Sequence, residues 1–192
     1  MSRVARLVKY GLCLLLSLAC ALDVAAAEPE FRDTVLRATD EGVVLDAEIV
    51  FDLTPRLEEA VKRGVALYFV LEFELIRPRW YWLDEKIVAR SQTWRLSYHA
   101  LTRKYRLSAG ALHMSFDTLD EAVSVMRRVR RWGVAERVQL RPGESYQAGV
   151  RFRLDSTQLP TPFQVSAIGS REWTLDSGWQ RWGYFVTTEP AR

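Results

Sequence analysis

Two glutamates, Glu72 and Glu74, lie two residues apart in the stretch LYFVLEFELIRPRWYWLDEK. If this stretch is a strand, both side chains lie on the same face and about 7 Å apart. A carboxylate pair at that spacing could perform general acid and base catalysis on a cell-wall glycan, using Glu72 with Glu74 or with Asp84. The alternative is that the two acids form cross-strand ion pairs, which need no function, and we favour it. The arginines available for such pairs include Arg90, Arg95 and Arg106.

The same stretch continues into the aromatic and basic string RPRWYW. Trp80 and Trp82 alternate with Tyr81, and tryptophan faces attract both CH groups and cations. This composition predicts a recognition surface. A carrier of a sugar or a lipid would need a concave apolar pocket here, lined by Trp80, Trp82 or Trp94. Alternatively, one ring fills the core while the other covers a sheet edge beneath an arginine. The candidate binding residues are Glu72, Glu74, Arg77, Arg79, Trp80 and Trp82.

A second basic cluster occurs in the string MRRVRRWG. Thr118 and Glu121 form a capping-box pattern, and apolar residues then recur at three and four spacing, so a helix is predicted that ends near Gly133. Cations in the last turns of a helix stabilise its negative end and solubilise its outer face. They could also contact an anionic membrane surface or an acidic partner. The arginines concerned are Arg127, Arg128, Arg130 and Arg131.

The sequence lacks the motifs of several kinds of catalytic and cofactor-binding site. The two histidines, His99 and His113, are isolated, and there is no HExxH zinc motif, no GxSxG nucleophile elbow and no glycine-rich phosphate loop. Both cysteines, Cys13 and Cys20, fall in the N-terminal leader described next. We therefore expect a protein that is not an enzyme, with no metal site and no cofactor.

Residues 1–27 have the pattern of a secretory signal peptide, with a basic start, an apolar run and the small residues AAA before EPE. Cleavage is predicted after Ala27, which places residues 28–192 in the periplasm as a single domain. A lipoprotein signal ending at Cys20 is the alternative. Removing the three cations and one acid of the leader lowers the net charge from +3 to +1. So small a charge gives no indication of nucleic-acid binding.

The elements that position these residues are mostly strands. A hairpin turns at Asp40–Gly42, a short helix follows Thr54, and three strands form a meander from Val65 onwards. After the second helix, YQAGVRFRLD alternates as a strand, QLPTPFQV reads as extended because of its prolines, and REWTL and WQRWGYFV read as closing strands. The predicted fold is mainly β: an antiparallel β-sandwich or a strongly bent sheet with two short packed helices. An open sheet with both helices on one face is the alternative.

Several strings in this sequence resemble a known family. LYFVLEFELIRPRWYWLDEKI, RLSYHALTRKYRLS, TLDEAV and QLPTPFQV are similar to the proteobacterial family of exported proteins called domain of unknown function 4390. The resemblance runs from the first hairpin to WGYFV. It implies an exported, single-domain protein that has no assigned catalytic residue or cofactor. It also implies a periplasmic partner, either a membrane sensor kinase or another envelope protein.

Overall fold

The computed structural model describes residues 28–79, 81, 83–167 and 169–186. These residues contain nine strands and three helices. In chain order they are β1 (Glu30–Ala38), β2 (Gly42–Val50), α1 (Pro55–Lys62), β3 (Leu67–Arg77), β4 (Glu85–His99), β5 (Lys104–Ala109), β6 (Leu112–Phe116), α2 (Leu119–Met126), β7 (Arg128–Glu136), β8 (Ser145–Leu154), α3 (Thr161–Ala167) and β9 (Gln180–Phe185).

The predicted leader falls outside the described residues, together with the cleavage site after Ala27 and the alternative lipid attachment at Cys20. None of the helices in the described part of the chain is long and apolar enough to cross a membrane.

The strands form two antiparallel sheets. A small sheet has the order β1-β2-β7, and a large sheet has the order β6-β5-β4-β3-β8-β9. The two sheets share one hydrophobic core, to which residues of both contribute. The prediction of a mainly β antiparallel fold is confirmed, and the arrangement corresponds to the sandwich alternative.

The alternation of residue types along β3 decides which side of the large sheet is buried. Every second residue is an apolar side chain with almost no exposed surface, and Glu72 and Glu74 lie on the opposite face. We call the face that carries these glutamates the outer face. The buried residues of β3 are Leu67, Phe69, Leu71, Phe73 and Leu75.

Aromatic rings connect the two sheets in the core. Phe51 directly follows β2 of the small sheet, and its ring centroid lies 4.8 Å from that of Phe152 on β8. Phe152 also stacks on Phe69 at 5.9 Å and meets the edge of Trp94 at 6.1 Å. Offset and edge contacts of this kind add to the stabilisation that burial already provides.

Helix α1 forms where the sequence predicts it. The Thr54 hydroxyl accepts a hydrogen bond from the Leu57 N–H at 3.2 Å, and Pro55 occupies the first turn, where no N–H is needed. The same hydroxyl donates to the carbonyl of Glu172 at 2.6 Å, which ties the helix start to the C-terminal part of the chain.

Helix α2 begins as predicted and ends earlier than predicted. The capping box between Thr118 and Glu121 is present, but the helix stops at Met126 instead of continuing towards Gly133. The residues that follow form β7, and Val129 is buried against β2. The predicted helical position of the arginines is therefore wrong. The spacing of Met126 and Val129 is also compatible with a helix, but pairing with β2 makes the strand the more stable structure here.

Two C-terminal predictions are also wrong. Residues predicted as extended form α3, because Pro162 falls in the first helical turn, where proline costs nothing. The predicted strand REWTL is instead a short 3-10 turn at Arg171–Trp173, followed by a bridge from Asp176 to Arg153. The described part of the chain thus has three helices rather than the two predicted. It also has a strand, β6, that the sequence did not predict.

Candidate functional site

An ion-pair cluster clamps the base of the β3–β4 hairpin. Arg77 ends β3 and lies opposite Glu85, which starts β4. The guanidinium groups of Arg77 and Arg79 both donate to the same oxygen, Oε2 of Glu85. Arg77 Nη1 also donates to Glu144 at 3.0 Å, and the Arg79 N–H donates to Asp84 at 3.2 Å. The predicted site residues Arg77 and Arg79 therefore lie together, with their charges already compensated.

These contacts hold the acids of the clamp in their charged form. Hydrogen bonds from Arg77 and then Arg79 lower the pKa of Glu85, and hydrogen bonds from Glu85 and Glu144 raise the pKa of Arg77. Burial alone raises the pKa of Glu144, but the hydrogen bonds from Arg77 and Tyr146 outweigh it and leave that pKa lowered.

The tip of the hairpin is exposed above this clamp. Tyr81 is 67% exposed and Leu83 is 81% exposed. Trp80 and Trp82 were also predicted as binding residues, and both lie outside the described residues. The tip thus exposes one aromatic and one aliphatic side chain to solvent. Ion pairs hold the base of the same hairpin.

Glu72 is held on the outer face by two arginines of β8. It accepts hydrogen bonds from Nε and Nη2 of Arg153 at 3.2 and 3.3 Å, and Arg151 Nη1 lies 3.9 Å away. Arg151 also donates to Asp176 at 2.9 Å through Nε. The structural interpretation of Glu72 as an ion-pair residue agrees with this geometry.

The predicted identity of the arginine partners is wrong. Arg90 pairs with Glu136 at 3.1 Å, Arg95 donates to the hydroxyl of Tyr68, and Arg106 forms no ion pair within the described residues. The reason is strand order, because β8 lies beside β3 and supplies Arg151 and Arg153 to the same face. The alternation of arginines in VRFRLD is the signal in the sequence that points to these partners.

Glu74 is buried by the ion pair that it forms. It is 4% exposed and contacts Arg181 at 2.8 Å and Lys86 at 2.9 Å. Arg181 reaches Glu74 across Gly149, where an added Cβ would lie 3.2 Å from both Glu74 and Trp179. Burial alone raises the pKa of Glu74, but the hydrogen bonds from Arg181 and Lys86 outweigh it, so the pKa lies below its ordinary value of 4.5.

A polar cleft of about 330 Å³ opens beside Glu72. Arg151, Arg153 and Asp176 line it, and Trp173 contributes an aromatic wall. Burial raises the pKa of Asp176, but the hydrogen bonds from Arg151 and from a backbone N–H lower it overall. Sequence reasoning identified Glu72 and missed the other four residues, since REWTL was read as a strand rather than as the turn that carries Trp173.

The second predicted surface, the arginines at the end of α2 and the start of β7, divides into two parts. Arg127 is engaged: it donates to the Phe51 carbonyl at 2.9 Å and to Asp52 at 2.6 Å. The other three are exposed and form no ion pair with any described residue. Arg131 is in the left-handed region at φ 49°, and its N–H donates to the buried Asp46. The three exposed arginines are Arg128, Arg130 and Arg131.

The carboxylates of these clusters carry fixed charge. Glu74, Glu85 and Asp176 have lowered pKa values and are ionised at neutral pH, so they are not proton donors there. Within the described ranges, no three acids or histidines converge as metal ligands would.

Comparison with known proteins shows the family of the chain. No curated protein and no solved structure matches it. Residues 26–183 match the family model described as "Domain of unknown function (DUF4390)". The match covers both sheets, the hairpin clamp and the cleft, and it confirms the resemblance seen in the sequence. The chain therefore belongs to the DUF4390 family.

Proposed function

We propose that the protein is an exported, non-catalytic binding module that contacts an envelope component through the tip of the β3–β4 hairpin. The proposed partner is a membrane sensor kinase or another protein exposed to the periplasm. The observation that carries the proposal is the exposure of Tyr81 and Leu83 on a hairpin whose base is clamped by charge.

A clamped hairpin suits protein recognition for two reasons. A hairpin whose base is already fixed loses less conformational entropy when it binds, so more of the contact energy appears as affinity. Tyrosine and arginine are also the residue types that dominate binding energy at protein interfaces. Here Tyr81 follows Arg77 and Arg79 in the sequence, and the ion pairs of both arginines with Glu85 fix the base of the hairpin.

The state of the carboxylates favours binding over bond making. A glycan hydrolase needs one protonated carboxyl as its acid, whereas the pKa of Glu74 is lowered. A carrier of a sugar or a lipid needs a concave apolar pocket, whereas charged residues line the cleft beside Glu72 and its arginines are paired with Glu72 and Asp176.

Site-specific photo-crosslinking in living cells tests the proposed contact. A photoreactive residue at position 83 is expected to give a protein adduct of defined mass. The matched control is position 138, since Val138 is 87% exposed and lies in a different segment, the 3-10 turn after β7. Position 138 is expected to give no such adduct. Glu85→Gln removes charge from the acceptor shared by Arg77 and Arg79, so it is expected to lower the adduct yield at position 83.

Two outcomes would contradict the proposal. Absence of any adduct at position 83 would remove the tip as a contact site. Equal labelling at positions 83 and 138 would show random collision rather than a defined interface.

A further inference from the structure

One continuous part of the chain carries cations and no acid. From Lys86 to Phe116 there are six lysines and arginines, two histidines and no aspartate or glutamate. This segment forms nearly all of β4 and the whole of β5 and β6, the three strands at one end of the large sheet. That end of the sheet therefore has no negative charge of its own.

Three of the six cations take their partners from outside the segment. Lys86 pairs with Glu74, Arg90 with Glu136, and Lys104 with Asp117. The remaining three are Arg95, Arg103 and Arg106, and none of them forms an ion pair with any residue in the described part of the chain. Arg95 donates only to a neutral group, the hydroxyl of Tyr68, at 3.1 Å.

The strand register places Arg95 and Arg106 on the same face. Arg95 lies opposite Ser108, and Arg106 lies opposite Ser97. On β4, Leu96 lies between Arg95 and Ser97 and is fully buried, so its side chain points to the core. Because side chains alternate along a strand, Arg95 and Arg106 lie on the outer face. Diagonal neighbours of this kind have Cα atoms about 7–8 Å apart, close enough for the two guanidinium groups to share one anionic surface.

Hydroxyl and imidazole groups surround these arginines. Ser115 lies opposite Arg106 on β6, and His113 lies opposite Ser108, with 2.9 Å between the His113 ring nitrogen and the serine hydroxyl. Guanidinium groups beside hydroxyl donors are the chemistry that binds phosphate. We call this surface the basic face; its members are Tyr68, Arg95, Ser97, Arg106, Ser108, His113 and Ser115.

The shape of the basic face fits a bilayer better than a single anion. Strands β5 and β6 have six and five residues, and with the part of β4 that pairs with β5 they present a surface of about 10 by 20 Å, on which several phosphate groups can be bound at once. At the β4–β5 turn, Leu101 is 91% exposed, and Arg103 lies two residues after it. An exposed leucine beside cations can enter the interface while the cations remain at the headgroups.

From these observations we propose that the basic face docks the protein onto an anionic lipid bilayer. The β7 arginines fit this role less well, since Glu48 and Asp46 lie on the neighbouring strand β2, with Glu48 opposite Arg128 and Asp46 accepting from the Arg131 N–H, so that strip contains negative charge as well. The inference does not depend on the partner contact at the β3–β4 tip, which lies at a different part of the fold.

Co-sedimentation with lipid vesicles tests the docking. The purified protein is expected to bind vesicles of phosphatidylcholine with phosphatidylglycerol, to bind phosphatidylcholine alone far more weakly, and to dissociate as NaCl is raised. Arg95→Gln with Arg106→Gln is expected to lower the partition coefficient about 30-fold, since each cation near an anionic membrane is worth about 5-fold. Leu101→Ser leaves the fold intact and is expected to lower it about 10-fold.

The matched control is Arg128→Gln with Arg130→Gln, which removes the same charge from β7 and is expected to change binding little. The proposal is overturned if the two double variants weaken binding equally, if the Arg95 and Arg106 variant binds like the wild type, or if neutral vesicles bind as well as anionic ones. It is also overturned if inorganic phosphate abolishes vesicle binding while NaCl at the same ionic strength leaves it unchanged, because that would indicate a site for a free anion.

Discussion

Replacing Phe152 with alanine is expected to lower the free energy of unfolding by about 3–5 kcal/mol, the cost of removing a large aromatic ring from a packed core. Phe152 has no exposed surface and contacts Phe51, Phe69 and Trp94. Since Phe51 follows β2, the substitution weakens packing between the two sheets and not only within one of them. Denaturant unfolding measures the effect, and the melting temperature is expected to fall by about 6–20 °C.

Phe185→Ala is the matched control for this substitution. Phe185 lies on the edge strand β9 and is 56% exposed, so its loss is expected to cost under about 1 kcal/mol. If Phe152→Ala costs no more than Phe185→Ala, Phe152 does not occupy the space between the sheets.

Glu74→Gln is expected to have the second largest effect, a loss of about 1–2 kcal/mol at neutral pH. Hydrogen bonds to charged groups contribute about 1.5–3 kcal/mol, and the partial exposure of Arg181 and Lys86 reduces this figure. The exposed Glu172→Gln, which removes a surface ion pair with Arg56, is the control and is expected to change stability little.

The difference between wild type and Glu74→Gln is expected to depend on pH. The pKa of Glu74 is lower in the folded state than in the unfolded state, so its stabilisation is fully present above the unfolded value. As pH falls below about 4.5 and through the folded pKa, the wild type loses this contribution and the glutamine variant does not. Unfolding curves from pH 7 to pH 3 should therefore converge. A difference that grows on acidification would contradict the ion pair.

Much of the fold could be predicted because a strand with one buried face has apolar residues at every second position. The pattern of β3, with apolar residues from Leu67 to Leu75 at every second position, identifies both the strand and its buried side. The cap at Thr54 and the capping box at Thr118 likewise fix where α1 and α2 begin. These signals are local, so the sequence alone contains them.

The errors arose where long-range pairing or proline position decided the structure. The end of α2 depends on β7 pairing with β2, which no local pattern reveals. The helix at Thr161–Ala167 was missed because proline was treated as a barrier to regular structure rather than as a residue of the first helical turn.

The candidate site was predicted only in part, because long-range strand pairing also decides which charged residues meet. Glu72, Glu74, Arg77 and Arg79 do form ion-pair clusters, but the partners of Glu72 come from β8 and those of Glu74 from β9 and β4. The order of strands in the large sheet selects these partners, and several strand orders are compatible with the same alternation. Arg95 and Arg106 are predicted partners of the glutamates, but Arg153 and Arg181 form those ion pairs instead. Arg95 and Arg106 therefore form no ion pair with any described residue and contribute their charge to the basic face.

We propose that the carboxylates of this protein stabilise ion pairs rather than transfer protons. Measuring the titration of the Glu74 carboxyl by carbon NMR tests this claim most directly. A midpoint below the ordinary value of 4.5 is the predicted result, because Arg181 and Lys86 stabilise the charged form. A midpoint near neutral pH would identify Glu74 as a poised proton donor and would contradict the account.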